Sequence, residues 1–270
     1  MPTIKVNDVN LFYEIKGNEN AKETIVFLNG VMATTNSWAF QVKALEKLGM
    51  RILLHDFRGQ LKSDKPTGVY SFKQHALDVI GLLEVLDIKN AHFIGTSYGG
   101  EVGLYLAVSH KKYVKSLSVI NSVSELDEVL TYFVLSWRDL ALKKDGEKFF
   151  WSMMPSIYHS DFIKVNKTML KERAKSMNDI GPSYFDGQIA LYDTFLNDLN
   201  LTKELKNIEC PVLIVCGEND ILKPRKFSDI IQKEIKHAEY ALIPNCAHVT
   251  IFEKPDVLNS LLLGFIIKNY

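Results

Sequence analysis

Apolar and polar positions change rhythm several times along this chain. Residues 4–6 and 11–15 alternate apolar and polar side chains around Asn7-Asp8, the pattern of an antiparallel hairpin with one buried face. Beyond it, residues 24–28, 51–54, 91–94 and 117–120 are short, almost continuous apolar runs. Such runs suit strands of a parallel sheet covered on both faces. Between them, Trp38, Val42 and Leu45 share one helical face, and Phe72, Ala76, Val79, Ile80 and Leu83 share another. Ser71 with Gln74 makes a capping box at the start of the second helix.

From residue 123 to 200 the strand–helix alternation stops. The text there is helix-prone and rich in large apolar residues, among them Phe133, Trp137, Phe149, Phe150, Trp151 and Met153. A buried strand returns at 210–215, another follows at 239–243, and a helix runs from Pro255 to about Ile267. The economical architecture is α/β: a mostly parallel central sheet with helices on both faces. Residues 1–122 and 201–270 form its core, and residues 123–200 are a helical insertion.

Composition narrows the function. At 270 residues, 47% apolar and 24% charged, the chain is ordinary globular text with ample material for a core. Its 32 basic and 32 acidic residues cancel, so no global field draws in a polyanion and nucleic acid is excluded as a main partner. The start, Met1-Pro2-Thr3-Ile4-Lys5-Val6, lacks the order of a signal peptide, and the longest apolar run, residues 261–267, is too short to span a bilayer. Cys210, Cys216 and Cys246 are odd in number and lack C-x-x-C spacing, which reads as three unpaired buried thiols in a reducing, cytoplasmic compartment. No H-E-x-x-H, clustered Cys/His or G-x-G-x-x-G is present, and neither a metal nor an organic cofactor is expected.

The chemistry concentrates at Gly95-Thr96-Ser97-Tyr98-Gly99, a G-x-S-x-G motif between an apolar run and a helix-like stretch. A strand, a sharp turn with serine at its tip and a helix behind it form a nucleophile elbow. A Cβ at Gly95 or Gly99 would press on neighbouring backbone, and Ser97 itself is pushed into strained φ/ψ. A serine hydroxyl is a weak nucleophile at neutral pH, so it needs a base and the base needs an orienting acid. Of seven histidines, only His248 follows a late strand by a short polar turn, at the sheet edge where open α/β folds bind ligands. His55 and His92 lie inside predicted strands and read as core. Asp220, in the turn Gly217-Glu218-Asn219-Asp220, is placed at the same edge and preferred over Glu218 because it lies further out. The oxyanion that forms on attack needs two donors already aimed at it. The backbone N–H of Tyr98, at a helix start, is one, and that of Val31, in the loop Asn29-Gly30-Val31-Met32, is the other.

With these residues in place the chain resembles the α/β-hydrolase fold family over nearly its whole length. The matching segments are Leu28-Asn29-Gly30-Val31, Asp56-Phe57-Arg58-Gly59 followed by Ser63-Asp64-Lys65-Pro66, Gly95 to Gly100, Gly217 to Asp220, and His248 followed by Glu253-Lys254-Pro255. The resemblance implies Ser97, Asp220 and His248 as the triad, Val31 and Tyr98 as the oxyanion hole, and residues 123–200 as a helical cap. The family's oxyanion loop usually begins His-Gly, where this chain has Asn29-Gly30. A backbone donor survives that change, although the loop's support differs. Relatives that open epoxides or remove halogens carry aspartate at the elbow, so Ser97 points instead toward carboxylesterases, enol-lactonases and acyl-thioesterases.

The expected reaction is hydrolysis of an ester, lactone or thioester of a small to medium apolar acyl group through an acyl-enzyme. Asn29, Trp137, Trp151, Met154, Phe185 and Val249 are the candidate substrate contacts, most of them from an apolar roof in the insertion. The insertion also carries Lys143, Lys144, Lys148, Lys164, Lys167, Lys171, Arg173 and Lys175 against Asp145, Glu147, Asp161 and Glu172. That run is either a solvated helix face or a dock for an acidic acyl carrier protein. C–C bond hydrolysis and slow-turnover ligand reception are the alternatives the same fold allows.

Overall fold

The structure, a computed structural model, describes residues 3–270; the reading of Met1-Pro2 as part of a leaderless start lies outside them. Strands β1 (Thr3–Val6) and β2 (Val9–Gly17) form the antiparallel hairpin, with Ile4 opposite Leu11 and Val6 opposite Val9. Asn7 turns the chain between them at φ 53°, a conformation asparagine tolerates. Next come β3 (Thr24–Leu28), α1 (Ala39–Leu45), β4 (Arg51–His55), α2 (Phe72–Val85), β5 (Ala91–Thr96), α3 (Tyr98–Ser109) and β6 (Val114–Ile120). Five helices follow without an intervening strand: α4 (Glu128–Leu142), α5 (Gly146–Ile157), α6 (Ser160–Val165), α7 (Lys167–Ser176) and α8 (Pro182–Asp198). The chain closes with β7 (Val212–Gly217), α9 (Arg225–Glu234), β8 (Glu239–Ile243), α10 (Thr250–Glu253) and α11 (Pro255–Lys268).

Among the described residues the strands form one eight-stranded sheet in the order β1-β2-β4-β3-β5-β6-β7-β8. β2 pairs antiparallel with β4, and every pair from β4 to β8 is parallel. The order places β3 between β4 and β5, so the connections leaving β3 and β5 diverge at the carboxyl edge of the sheet. That divergence opens a crevice, which is where open α/β folds hold ligands.

Alternate residues of the buried strands feed two cores, one on each face. Val26, Leu28 and Leu53 join the cluster under α2 and α3, whereas Ile25, Phe27, Ile52 and Leu54 join the one under α1 and α11. Both faces are covered, which is why these strands read as unbroken apolar runs. Ser71 caps α2 by accepting from the Gln74 amide at 3.0 Å. In the insertion, aromatic pairs tie helix to helix: Trp137 on α4 meets Tyr192 on α8 at 6.2 Å, and Phe149 on α5 meets Phe185 on α8 edge-on at 5.6 Å. No described helix is long and apolar enough to cross a membrane. The three cysteines are free, Cys216 and Cys246 being buried; Cys210 is only half-buried, because it sits in the loop just before β7 rather than in the strand as expected.

Candidate active site

β5 ends at Thr96 and α3 begins at Tyr98, leaving Ser97 alone in the turn at φ 52°, ψ −123°. The bend is enforced by close backbone: a Cβ on Gly95 would lie 2.4 Å from the Gly99 carbonyl oxygen, and one on Gly99 would lie 2.0 Å from that of Leu28. Strain of this kind, of order 1–3 kcal/mol, persists only where the surroundings over-determine the backbone. Here the Ser97 amide donates to Ile120 O at 2.8 Å, and its carbonyl accepts from Ser122 Oγ at 2.8 Å.

The three side chains assigned from the sequence meet at this tip. His248 Nε2 lies 3.0 Å from Ser97 Oγ, and His248 Nδ1 lies 2.7 Å from Asp220 Oδ2. His248 and Asp220 are both buried. Glu218, the competing carboxylate, instead accepts from the Asn245 amide at 3.1 Å. Asp220 is held from every side. Its Oδ1 accepts from the amides of Leu222 and Lys223 at 3.0 and 2.9 Å, and its Oδ2 accepts from Asn121 Nδ2 at 2.8 Å. Asn121 is oriented in turn by Thr250 Oγ1, which donates to its Oδ1 at 2.6 Å. His248 is anchored through its backbone, the amide donating to Ile157 O at 3.1 Å, and Glu253 steadies the same turn by accepting from the Ala247 amide at 2.7 Å. Sequence reasoning missed Asn121 and Thr250. The one signal for Asn121 is its place directly after β6, at the carboxyl edge that carries the site.

Val31 and Tyr98 both line a small hollow that reaches Ser97. Among the described residues no carbonyl or side chain accepts from the N–H of Val31 or of Tyr98. The Val31 loop is fixed instead through its acceptors: Gln60 Nε2 donates to Gly30 O at 2.8 Å and to Val31 O at 3.3 Å, and Gln188 Nε2 donates to Val31 O at 3.2 Å. Asn29 supports it from below, donating to His55 O at 2.9 Å and to Gln60 Oε1 at 3.1 Å while accepting from Trp38 Nε1 at 2.8 Å.

An apolar cavity of about 90 Å³ opens beside Ser97 and His248, with Val31, Trp137, Phe150, Met153, Ile157, Arg173, Val249 and Phe252 in its wall. A smaller hollow of about 20 Å³ also reaches Ser97 and is lined by Tyr98, Trp137, Tyr192, Phe195 and Lys223, without His248. Of the expected substrate contacts, Trp137 and Val249 line the cavity. Four do not. Asn29 is fully buried in the network under the loop, with both ends of its amide already bonded. Phe185 is spent against Phe149 in the packing of α5 on α8. On α5, Phe150, Met153 and Ile157 line the cavity; Trp151, the next residue round the helix from Phe150, turns off that face, and Met154 is buried but is not part of the lining. Trp151 contributes instead to an outer groove with Leu140, Lys143 and Lys148.

Two charges near the site were not expected there. Glu101, on the first turn of α3, is fully buried and accepts from Lys223 Nζ at 2.8 Å and from the Val123 amide at 3.0 Å; burial pushes its carboxyl above the usual range despite the lysine. Arg173, read as one member of a surface run, is half-buried in the cavity wall with its guanidinium carbon 5.4 Å from the Phe252 ring centre. Lys144 and Lys148 of that run are paired with Asp186 and Asp145, at 2.6 and 2.9 Å. Among the described residues no group of three or more His, Cys, Asp and Glu side chains is arranged to hold a metal ion.

A family model described as alpha/beta hydrolase fold matches residues 23–255. A putative carbamate hydrolase, RutD, of Azorhizobium caulinodans is 27% identical to this chain over 268 residues, covering 98% of each. Among solved structures, MGS-M2, an alpha/beta hydrolase enzyme from a Medee basin deep-sea metagenome library, superposes with a TM-score of 0.92 at 28% identity, covering 98% of this chain and 97% of that one. The enol-lactonase from Burkholderia xenovorans superposes with a TM-score of 0.88 at 25% identity, covering 98% and 100%.

Proposed function

Because this chain belongs to the alpha/beta hydrolase fold family and is a hydrolase of that fold, we propose that it cleaves an ester, lactone or thioester of a small to medium apolar acyl group through an acyl-enzyme on Ser97. The observation that carries this reading is the unbroken chain from Ser97 Oγ through His248 to Asp220, with links of 3.0 and 2.7 Å, at the mouth of an apolar cavity. His248 Nε2 takes the Ser97 proton as Oγ attacks the carbonyl carbon, and Asp220 stabilises the imidazolium at Nδ1. The N–H groups of Val31 and Tyr98 receive the tetrahedral oxyanion; each such donor is worth about 3 kcal/mol in comparable sites. His248 then gives its proton to the leaving oxygen or sulfur, and afterwards activates the water that releases the acid. Helices α4 to α8 act as a cap that keeps bulk water from the acyl-enzyme.

The cavity, at about 90 Å³, is smaller than the roughly 150 Å³ that accepts benzene, which favours short acyl or alcohol groups unless the cap moves. A carbamate presents its carbonyl to the same three side chains, and the putative carbamate hydrolase among the relatives makes that bond the second reading. Three unpaired cysteines are in keeping with a reducing compartment. A serine-directed fluorophosphonate followed by peptide mass spectrometry tests the core of the proposal. The adduct is expected on Ser97 and absent from Ser97→Ala, with p-nitrophenyl butyrate turnover lost in parallel; labelling elsewhere, or turnover that survives Ser97→Ala, refutes it.

A further inference from the structure

We propose that the natural substrate carries a carboxylate on its leaving-group half and that Arg173 binds it, an inference that rests on the acyl-transfer reading of Ser97. The cavity wall beyond the reacting centre is apolar, built from Ile157, Val249, Ile251 and Phe252, and Arg173 is the one arginine or lysine in it. Among the described residues no carboxylate forms an ion pair with Arg173, whereas Arg58, Arg138 and Arg225 are paired and Arg51, also without a carboxylate, donates to Leu86 O at 3.2 Å. Glu253, next to Phe252 on α10, is spent on the amides of Ala247 and His159, at 2.7 and 2.9 Å. Partly desolvating a permanent cation beside apolar side chains is unfavourable unless an anion meets it. A guanidinium fork matches a carboxylate in particular, through two parallel hydrogen bonds.

The side of the cavity follows from proton transfer. His248 must hand its proton to the departing oxygen, so the leaving group lies on the His248 side of Ser97. Arg173 stands over Phe252, on the short helix α10 that directly follows the His248 turn, and so faces that half. The smaller hollow, which touches Ser97 but not His248, is left for the acyl chain. If Arg173 only shields the Phe252 ring, it contributes packing and no selectivity.

Three small esters separate these cases in a pH-stat assay: ethyl butyrate, the butyryl ester of glycolic acid, with its carboxylate on the alcohol, and monoethyl succinate, with its carboxylate on the acid. Wild type is expected to favour the glycolate ester over ethyl butyrate by roughly 10- to 100-fold in kcat/KM, the size of a hydrogen-bonded charge contact. In Arg173→Gln that ratio collapses toward one, and Arg173→Lys keeps part of it. An equal ratio in wild type and Arg173→Gln overturns the role of Arg173, and a preference for monoethyl succinate overturns its placement. Calorimetric binding of the glycolate ester to Ser97→Ala, with and without Arg173→Gln, reads the same contact without turnover. If no ester is hydrolysed the acyl-transfer reading fails, while weaker binding in the double variant still supports the anion site and equal binding rejects it.

Discussion

At the residue scale, the site depends on how completely Asp220 is held. Two amides on Oδ1 and Asn121 on Oδ2 leave the carboxylate one remaining task, the proton on His248 Nδ1. Asp220→Asn keeps the shape but presents the imidazole with a donor, which favours the wrong tautomer. A kcat loss on the order of 10⁴ with little change in KM is expected for p-nitrophenyl butyrate. Asn121 reaches the site through Asp220 and, more weakly, the Ala247 carbonyl, not through substrate, so Asn121→Ala is expected to lower kcat by roughly 10-fold and leave KM within about twofold. A rise in KM instead, with kcat preserved, contradicts the positioning role. Ser97, Asp220 and His248 were legible because each obeys a strong local rule, a strained serine between glycines or a polar residue just past a buried strand. Asn121 follows a buried strand too but has no motif around it, and Arg173 obeys no such rule. One looks like any turn asparagine and the other like any member of a charged helix face, and both acquire meaning only from neighbours about a hundred and nearly eighty residues away, respectively.

At the element scale, the elbow works because β5 and α3 approach β3 closely enough to forbid a side chain. With the Leu28 oxygen 2.0 Å from a Cβ on residue 99, Gly99→Ala must displace either β3 or α3. Overpacking of this kind costs about 1–3 kcal/mol or more, and a Tm drop of several degrees accompanied by loss of Ser97 labelling is expected. Behind the elbow, α3 is tied to the Asp220 loop by the buried Glu101–Lys223 pair. Removing one partner, as in Lys223→Met, leaves a buried charge and is expected to cost about 3–5 kcal/mol in urea unfolding; Glu101→Leu with Lys223→Met should recover most of it. A double variant as unstable as the sum of the singles rules out that coupling. Strand positions were readable from sequence because burial on both faces forces continuous apolar text, and β3 and β8 have the bounds their runs indicate. β6 begins three residues before its apolar run, since Lys115 reaches Glu23 and Ser116 pairs with His92. In the insertion the same logic failed for individual contacts. Aromatic residues there face both the cavity and neighbouring helices, and helical spacing alone does not say which face is which.

At the scale of the whole molecule, a series of edge-to-face ring contacts lies behind the start of α3. His55 meets Phe57 edge-on at 4.9 Å, Phe57 meets His75 at 5.3 Å, and His75 meets Tyr98 at 5.4 Å, so the ring contacts run from β4 to the first residue of α3. Both imidazoles are fully buried, and among the described residues neither ring nitrogen of either has a hydrogen-bond partner. Burial therefore disfavours the charged form, pushing His55 down to about 4 and His75 down to about 3. In the unfolded chain both titrate near 6.5. Between those values the unfolded state binds protons that the folded state refuses, so stability rises with pH through this window and falls as the solution is acidified. Above about pH 7 the contribution is complete. Urea unfolding at pH 7.5 and pH 4.5 is expected to differ by about 5 kcal/mol from these two groups together. His75→Phe keeps an aromatic ring in these contacts and removes one titration, so roughly half of that difference should disappear relative to wild type, with the carboxylate contributions common to both proteins cancelling. An unchanged pH dependence in His75→Phe means that His75 already carries its proton in the folded protein and that burial does not hold it neutral.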